Sequence, residues 1–216
     1  MTHHLPHDDT LARYAAGTLE PGLRLLVDAQ LEVAAKARRR LAFFNDAAGV
    51  ILTGMPPSEM AADSLTRAFA SLDLPLPEPA PAPQVRHAAR MPEGIRLPKA
   101  LAGCSTSRWI WISPGVYWST VTIPGAPKAT VGLIKAAPGR PLPEHGHGGS
   151  ELTFVLQGSF FDETGRYGPG DLCETDETVE HTPIADQEEG CICIIAMDTI
   201  PRFRGLLGAL LRPFTN

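Results

Sequence analysis

The stretch Gly139-Arg140-Pro141-Leu142-Pro143-Glu144-His145-Gly146-His147-Gly148-Gly149-Ser150-Glu151, followed after six more residues by Gly158, decides how the second half of this chain is read. His145 and His147 stand at i, i+2, and on extended backbone such residues point to one side, so both imidazoles can enter one cavity. Glu151 opens the next strand-like run and can swing in beside them. A third imidazole, His181, follows thirty residues after Glu151, beyond the turn Gly168-Pro169-Gly170-Asp171. That is the interval of a hairpin returning to the same barrel. Three neutral imidazoles and one carboxylate suit a borderline divalent cation. The candidate ligands are thus His145, His147, Glu151 and His181, with Zn²⁺ first and Fe²⁺, Ni²⁺ or Mn²⁺ as alternatives. No catalytic side chain and no organic cofactor site is singled out.

Outward from this stretch, short β-rich runs recur at 109–112, 116–123, 129–136, 152–156, 159–162, 171–175 and 191–197. Turn pairs such as Pro124-Gly125, Pro138-Gly139 and Thr164-Gly165 break them. Many short strands at this spacing predict a jelly-roll type of barrel. Upstream the pattern is helical. Leu11, Tyr14, Ala15 and Leu19 recur at helical spacing behind Asp8, Asp9 and Thr10, and Gly17 ends that helix. A longer helix is expected from Pro21, with Leu23, Leu26, Val27, Gln30, Leu31 and Ala34 on one stripe, running on through Lys36 to Phe44 and stopping at Gly54. A third is expected from Ser58 through Leu65, Phe69 and Leu72. Leu97 to Gly103 suggests one more short helix, and 203–214 a short amphipathic helix or turn whose leucines would allow a homodimer. Between the two halves lie alternating prolines. Seven of the chain's 21 prolines fall between Pro75 and Pro98, a composition that favours extended polyproline II. The expected fold class is therefore α+β: a helical domain at 1–73, a proline-rich linker at 74–96 and a barrel domain at 97–216.

The bulk numbers narrow the function classes. The 216 residues are 44% hydrophobic and 20% charged, with net charge −5, which excludes a disordered tail protein or a collagen. No run of about 18 apolar residues is present to span a bilayer. The acidic, His-rich start is unlike a secretory signal. A basic excess is missing, so direct nucleic-acid binding is not expected. Four cysteines without a C-x-x-C argue for a reducing, cytoplasmic compartment. Cys191 and Cys193 would share one face of a strand and read as small buried hydrophobes.

The pattern G-x5-H-x-H-x3-E-x6-G matches the first cupin motif at every position. The second cupin motif is met only in part: His181 stands where its histidine belongs, but Asp176, Thr178 and Ala185 replace the usual proline, glycine and asparagine. The likeness extends further. His145-Gly-His147-Gly-Gly-Ser-Glu151, Glu180-His181-Thr182-Pro183, Cys191-Ile-Cys193 and Tyr14-Ala15-Ala16-Gly17-Thr18-Leu19 resemble the ChrR family of anti-sigma factors over nearly the whole chain. That resemblance implies a cytoplasmic regulator. Its helical domain would clasp an extracytoplasmic-function (ECF) sigma factor, and its metal-bound cupin would be needed for release under singlet-oxygen or peroxide stress. A metal-dependent cupin enzyme, such as a small-molecule dioxygenase, is the competing reading.

One departure from the family stands out. Its second helix carries H-x3-C-x2-C, which with an N-terminal histidine binds zinc; here those positions are Gln30, Ala34 and Ala37. An amide and two methyls are not zinc ligands, so no zinc is expected in the helical domain. A degenerate member without sigma binding is therefore also open. Apolar packing by Phe43, Phe44 and the alanine-rich helix is expected to stand in. His3, His4 and His7 read as a solvated tail, and Lys36, Arg38, Arg39 and Arg40 as a solvated face.

Overall fold

A computed structural model describes residues 4–75, 95, 97–142, 145–146, 149–176, 182–199 and 202–203. The first helix, α1 (Asp8–Ala15), carries Asp8 and Asp9 in its opening turn, where carboxylates favour the exposed N–H groups. Gly17, at φ 71°, turns the chain away. Helix α2 (Pro21–Val33) starts with proline at its first position, and Glu20 Oε2 accepts from the N–H groups of Gly22 (2.7 Å) and Leu23 (3.2 Å).

The long helix expected from Pro21 is in fact two. Ala34 leaves the helical region at φ −105°, ψ 97°, and α3 (Ala35–Gly54) starts afresh. No glycine or proline causes this. The Arg38 guanidinium reaches back to the carbonyls of Leu31 and Glu32, satisfying acceptors that the end of α2 leaves open. Helix α4 (Ser64–Leu72) also begins later than expected: Asp63, not Ser58, supplies the first helical carbonyl, to Arg67 N–H at 2.9 Å.

After a 3-10 turn at Lys99–Leu101, the chain becomes β structure: β1 (Ser105–Thr106), β2 (Ile110–Ser113), β3 (Val116–Thr122), β4 (Thr130–Ala136), β5 (His145–Gly146) and β6 (Glu151–Gly158). These are followed by β7 (Phe160–Asp162), β8 (Gly165–Tyr167), β9 (Leu172–Thr175), β10 (Ile184–Ala185), β11 (Cys191–Met197) and β12 (Arg202–Phe203). Each run expected from the sequence contains a strand. All pairings are antiparallel. The large sheet runs β1-β3-β4-β11-β6-β9 with β2 also on β3; β10-β7-β8 and β12-β5 form two smaller sheets. Phe203 is therefore strand, not the start of a helix, and 204–216 lie outside the described residues, as do the prolines between 76 and 94. Two motif glycines have positive φ, Gly139 at 68° and Gly158 at 66°. A Cβ on Gly158 would lie 2.0 Å from the Gly190 carbonyl oxygen, so a side chain there would break the corner.

Two cores flank the large sheet. Its inner face, with Ile134, Val155, Cys193 and Ile195, packs on Phe160 and Tyr167 of the small β7–β8 layer. Its outer face presents Val131, Leu133, Leu152, Phe154, Ile194 and Ala196, and Leu11, Leu23, Leu26 and Val27 pack directly onto them. Each such leucine buried from water contributes about 1.5–3 kcal/mol. A helical module this small cannot close a core alone; the sheet closes it. Phe44 joins this core at its edge, whereas Phe43 is exposed and does not provide the packing expected of it.

Candidate functional site

Glu151 is the first residue of β6 and is buried, opposite Met197 of β11 and Thr175 of β9. Thr153, two residues on and therefore on the same face, donates its hydroxyl to Glu151 Oε1 at 3.3 Å. A buried carboxylate is also an oxygen donor of the kind a divalent cation takes. His145 lies on β5, its backbone opposite Phe203 of β12. The segment leading to Glu151 is tight: a Cβ on Gly149 would fall 2.3 Å from Asp198 Oδ1. The side chain of His145, together with His147 and His181, lies outside the described residues.

The barrel interior also holds thiols. Cys173, Cys191 and Cys193 are free and buried, as the i, i+2 spacing on a strand requires for the last two. Burial pushes the Cys173 thiol up to about 12. The Cys193 thiol donates to the Cys191 sulfur, which lowers the pKa of Cys191 and raises that of Cys193, burial adding to the latter. Of the two, Cys191 is the one whose thiolate form is favoured.

His4 is not part of the solvated tail expected of it, while the His7 side chain is exposed. The His4 ring lies 4.3 Å from the Tyr167 ring, tilted by 40° to it; the His4 backbone N–H donates to Asp171 Oδ1 (3.1 Å), and the His4 carbonyl accepts from Gln30 Nε2 (2.6 Å). His7 N–H donates to Glu174 Oε2 at 2.7 Å, and Thr10 Oγ1 donates to Glu174 Oε1 at 2.6 Å. His7, Asp9 and Glu174 thereby bring three ligand-type atoms within 4.8 Å of one another, a group that no sequence spacing signals. His3 lies outside the described residues.

Gln30, Ala34 and Ala37 are all fully buried, and Gln30 reaches the barrel at the Gly170 carbonyl. None offers an imidazole or thiolate, so the donor set for a helical-domain zinc is missing at these positions. In the basic run, Arg40 pairs with Asp8 and lies over the Phe43 and Phe44 rings, and its neighbours are exposed.

Helices α3 and α4 carry a second candidate surface. Val50, Ile51, Leu52, Leu65, Phe69 and Leu72 are all exposed, at 62–76% of their full accessibility. Monomeric domains rarely leave this much apolar side chain in water without a partner to cover it. Among the described residues no helix is long and apolar enough to cross a membrane, so these side chains do not form a span.

Fold and site together define a helical module seated on a cupin-type barrel, with apolar side chains of α3 and α4 left exposed. Residues 98–201 match the ChrR Cupin-like domain. Over 99% of its length the chain is 35% identical to the anti-sigma-E factor ChrR of Cereibacter sphaeroides, covering 98% of that protein. In three dimensions it resembles the crystal structure of Rhodobacter sphaeroides SigE in complex with the anti-sigma ChrR. There the TM-score is 0.69 at 33% identity, covering 92% of this chain and all of that one. The chain belongs to the ChrR family of anti-sigma factors.

Proposed function

We propose that this chain is a cytoplasmic anti-sigma factor that sequesters an ECF sigma factor through its helical domain. The observation that carries the reading is the set of exposed apolar side chains on α3 and α4, in a chain related to ChrR from end to end. The ChrR relative is seen in complex with SigE, and exposed apolar side chains on helices are what a protein partner would cover. The domain bounds 1–73, 74–96 and 97–216 belong to the same reading.

The barrel would hold one divalent cation, Zn²⁺ first, through His145, His147, Glu151 and His181. Buried Glu151 supports this, because a carboxylate at the start of β6 is an oxygen donor of the kind such a cation takes. Such a cation would supply Lewis-acid chemistry at this site. This chain's residues would contribute the rest: Thr153 orients the Glu151 carboxylate, and the Cys191–Cys193 pair sets a polarised thiol inside the same barrel. Singlet oxygen or peroxide is the signal this arrangement suits.

Co-expression with the sigma factor encoded beside this chain tests the proposal. A stable 1:1 complex on size-exclusion chromatography, and loss of sigma-dependent transcription on adding the protein, are expected. Separate elution of the two proteins would overturn it.

A further inference from the structure

We infer that a polar lock free of metal, centred on Gln30, holds the helices of this chain to the barrel. Gln30 lies in α2 with none of its surface exposed. Its Nε2 donates to two backbone carbonyls from different parts of the chain: His4, at 2.6 Å, and Gly170 in the β8–β9 turn, at 3.2 Å. The lock therefore joins three pieces at one point: the N-terminal segment, α2 and the barrel.

The chemistry fixes which end of the amide faces in. Both partners are acceptors, so only a donor satisfies them, and the amide NH2 has the two hydrogens that two carbonyls require. The opposite atom, Oε1, is buried with no donor among the described residues, so the amide has nothing to gain by turning over. Surrounding bonds prepare the acceptors. His4 is held by Asp171 through its N–H, and its carbonyl also receives Leu172 N–H at 3.4 Å. Gly170 N–H donates to the Val155 carbonyl at 2.9 Å, which ties the turn to β6, the strand that Glu151 opens. A rearrangement of β6 or of its turn would thus move one of the two acceptors on which α2 depends.

This inference does not depend on sigma binding, and its test keeps the two apart. Gln30→Glu has the same size but, when ionised, presents only acceptors to two carbonyls; Gln30→Met keeps the volume and donates nothing. Hydrogen exchange on the full chain is the readout. In both variants the amides of Leu11 and Leu172 and those of α2 are expected to exchange at least about tenfold faster, while amides paired between β3 and β4 keep their rates. If Gln30→Glu does not accumulate, Gln30→Met alone carries the measurement. Unchanged exchange in the helices would overturn the lock. So would an equal acceleration in helices and barrel, because Gln30 would then be ordinary core.

Discussion

Gly22, in the first turn of α2, lies directly against Val131 of β4: a Cβ on the glycine would come within 2.8 Å of the valine Cγ2 and 3.4 Å of the Ala196 Cβ. The helix approaches the sheet this closely because nothing projects from it there. Gly22→Val is expected to push α2 outward and to cost about 1–3 kcal/mol, the usual range for overpacking a filled core. Urea denaturation would measure it. Wild-type stability in this variant would mean that α2 does not sit on the sheet as described.

Glu151→Gln keeps size and hydrogen bonding but removes the charge. A divalent site that depends on this carboxylate is expected to fall from about one metal per chain to near zero after dialysis. Elemental analysis, with His147→Ala beside it, provides the check. Full metal retention in both variants would remove these residues from the ligand set.

Leu65→Asp and Phe69→Asp alter side chains that already face water, so their melting temperatures should stay near wild type. Partner affinity should not. Charged groups in the centre of a docking face are expected to cost about 2 kcal/mol or more of binding free energy, roughly thirtyfold in Kd. Titration calorimetry with the sigma factor would separate the two quantities. Unaltered affinity in both variants would move the docking face away from α4.

Asp186 gives the acid limb of the stability curve a specific contributor. Its Oδ1 accepts from the N–H groups of Glu188 (2.9 Å) and Glu189 (3.1 Å), and Arg166 pairs with Oδ2; these hold its pKa down at about 2, from an ordinary 3.8. A pKa depressed in the folded state stabilises above the unfolded value and is lost as the pH falls through the folded one. Asp186→Asn should therefore be less stable than wild type at neutral pH, with the difference shrinking between about pH 4 and pH 2. Thermal melts across that range would show it; a constant difference would place the effect elsewhere.

The barrel was legible because its signals are local. Alternating runs gave the strands, positive-φ glycines such as Gly139 and Gly158 marked the corners, and Glu151 announced itself by its spacing from two histidines. The joint was not. Gln30 and Gly170 are 140 residues apart, and His4 and Asp171 are 167 apart, so no window of sequence contains both partners. The break at Ala34 was hidden for a similar reason: a side chain four residues later, Arg38, satisfies the carbonyls that a glycine or proline would otherwise mark as an end. Counting histidines at the N-terminus suggested a free tail, because the sequence does not display the Tyr167 ring on which His4 rests.

The core shared by α1, α2 and the outer face of the sheet also governs how such a protein can be inherited. Leu11, Leu23 and Leu26 share a core with Leu133, Phe154 and Ile194, so the effect of a substitution on one side depends on the residues on the other. Recombination that joined these helices to the barrel of a distant relative would bring together surfaces with no common history. Helices and barrel close one core together, so neither can be exchanged without repacking the other.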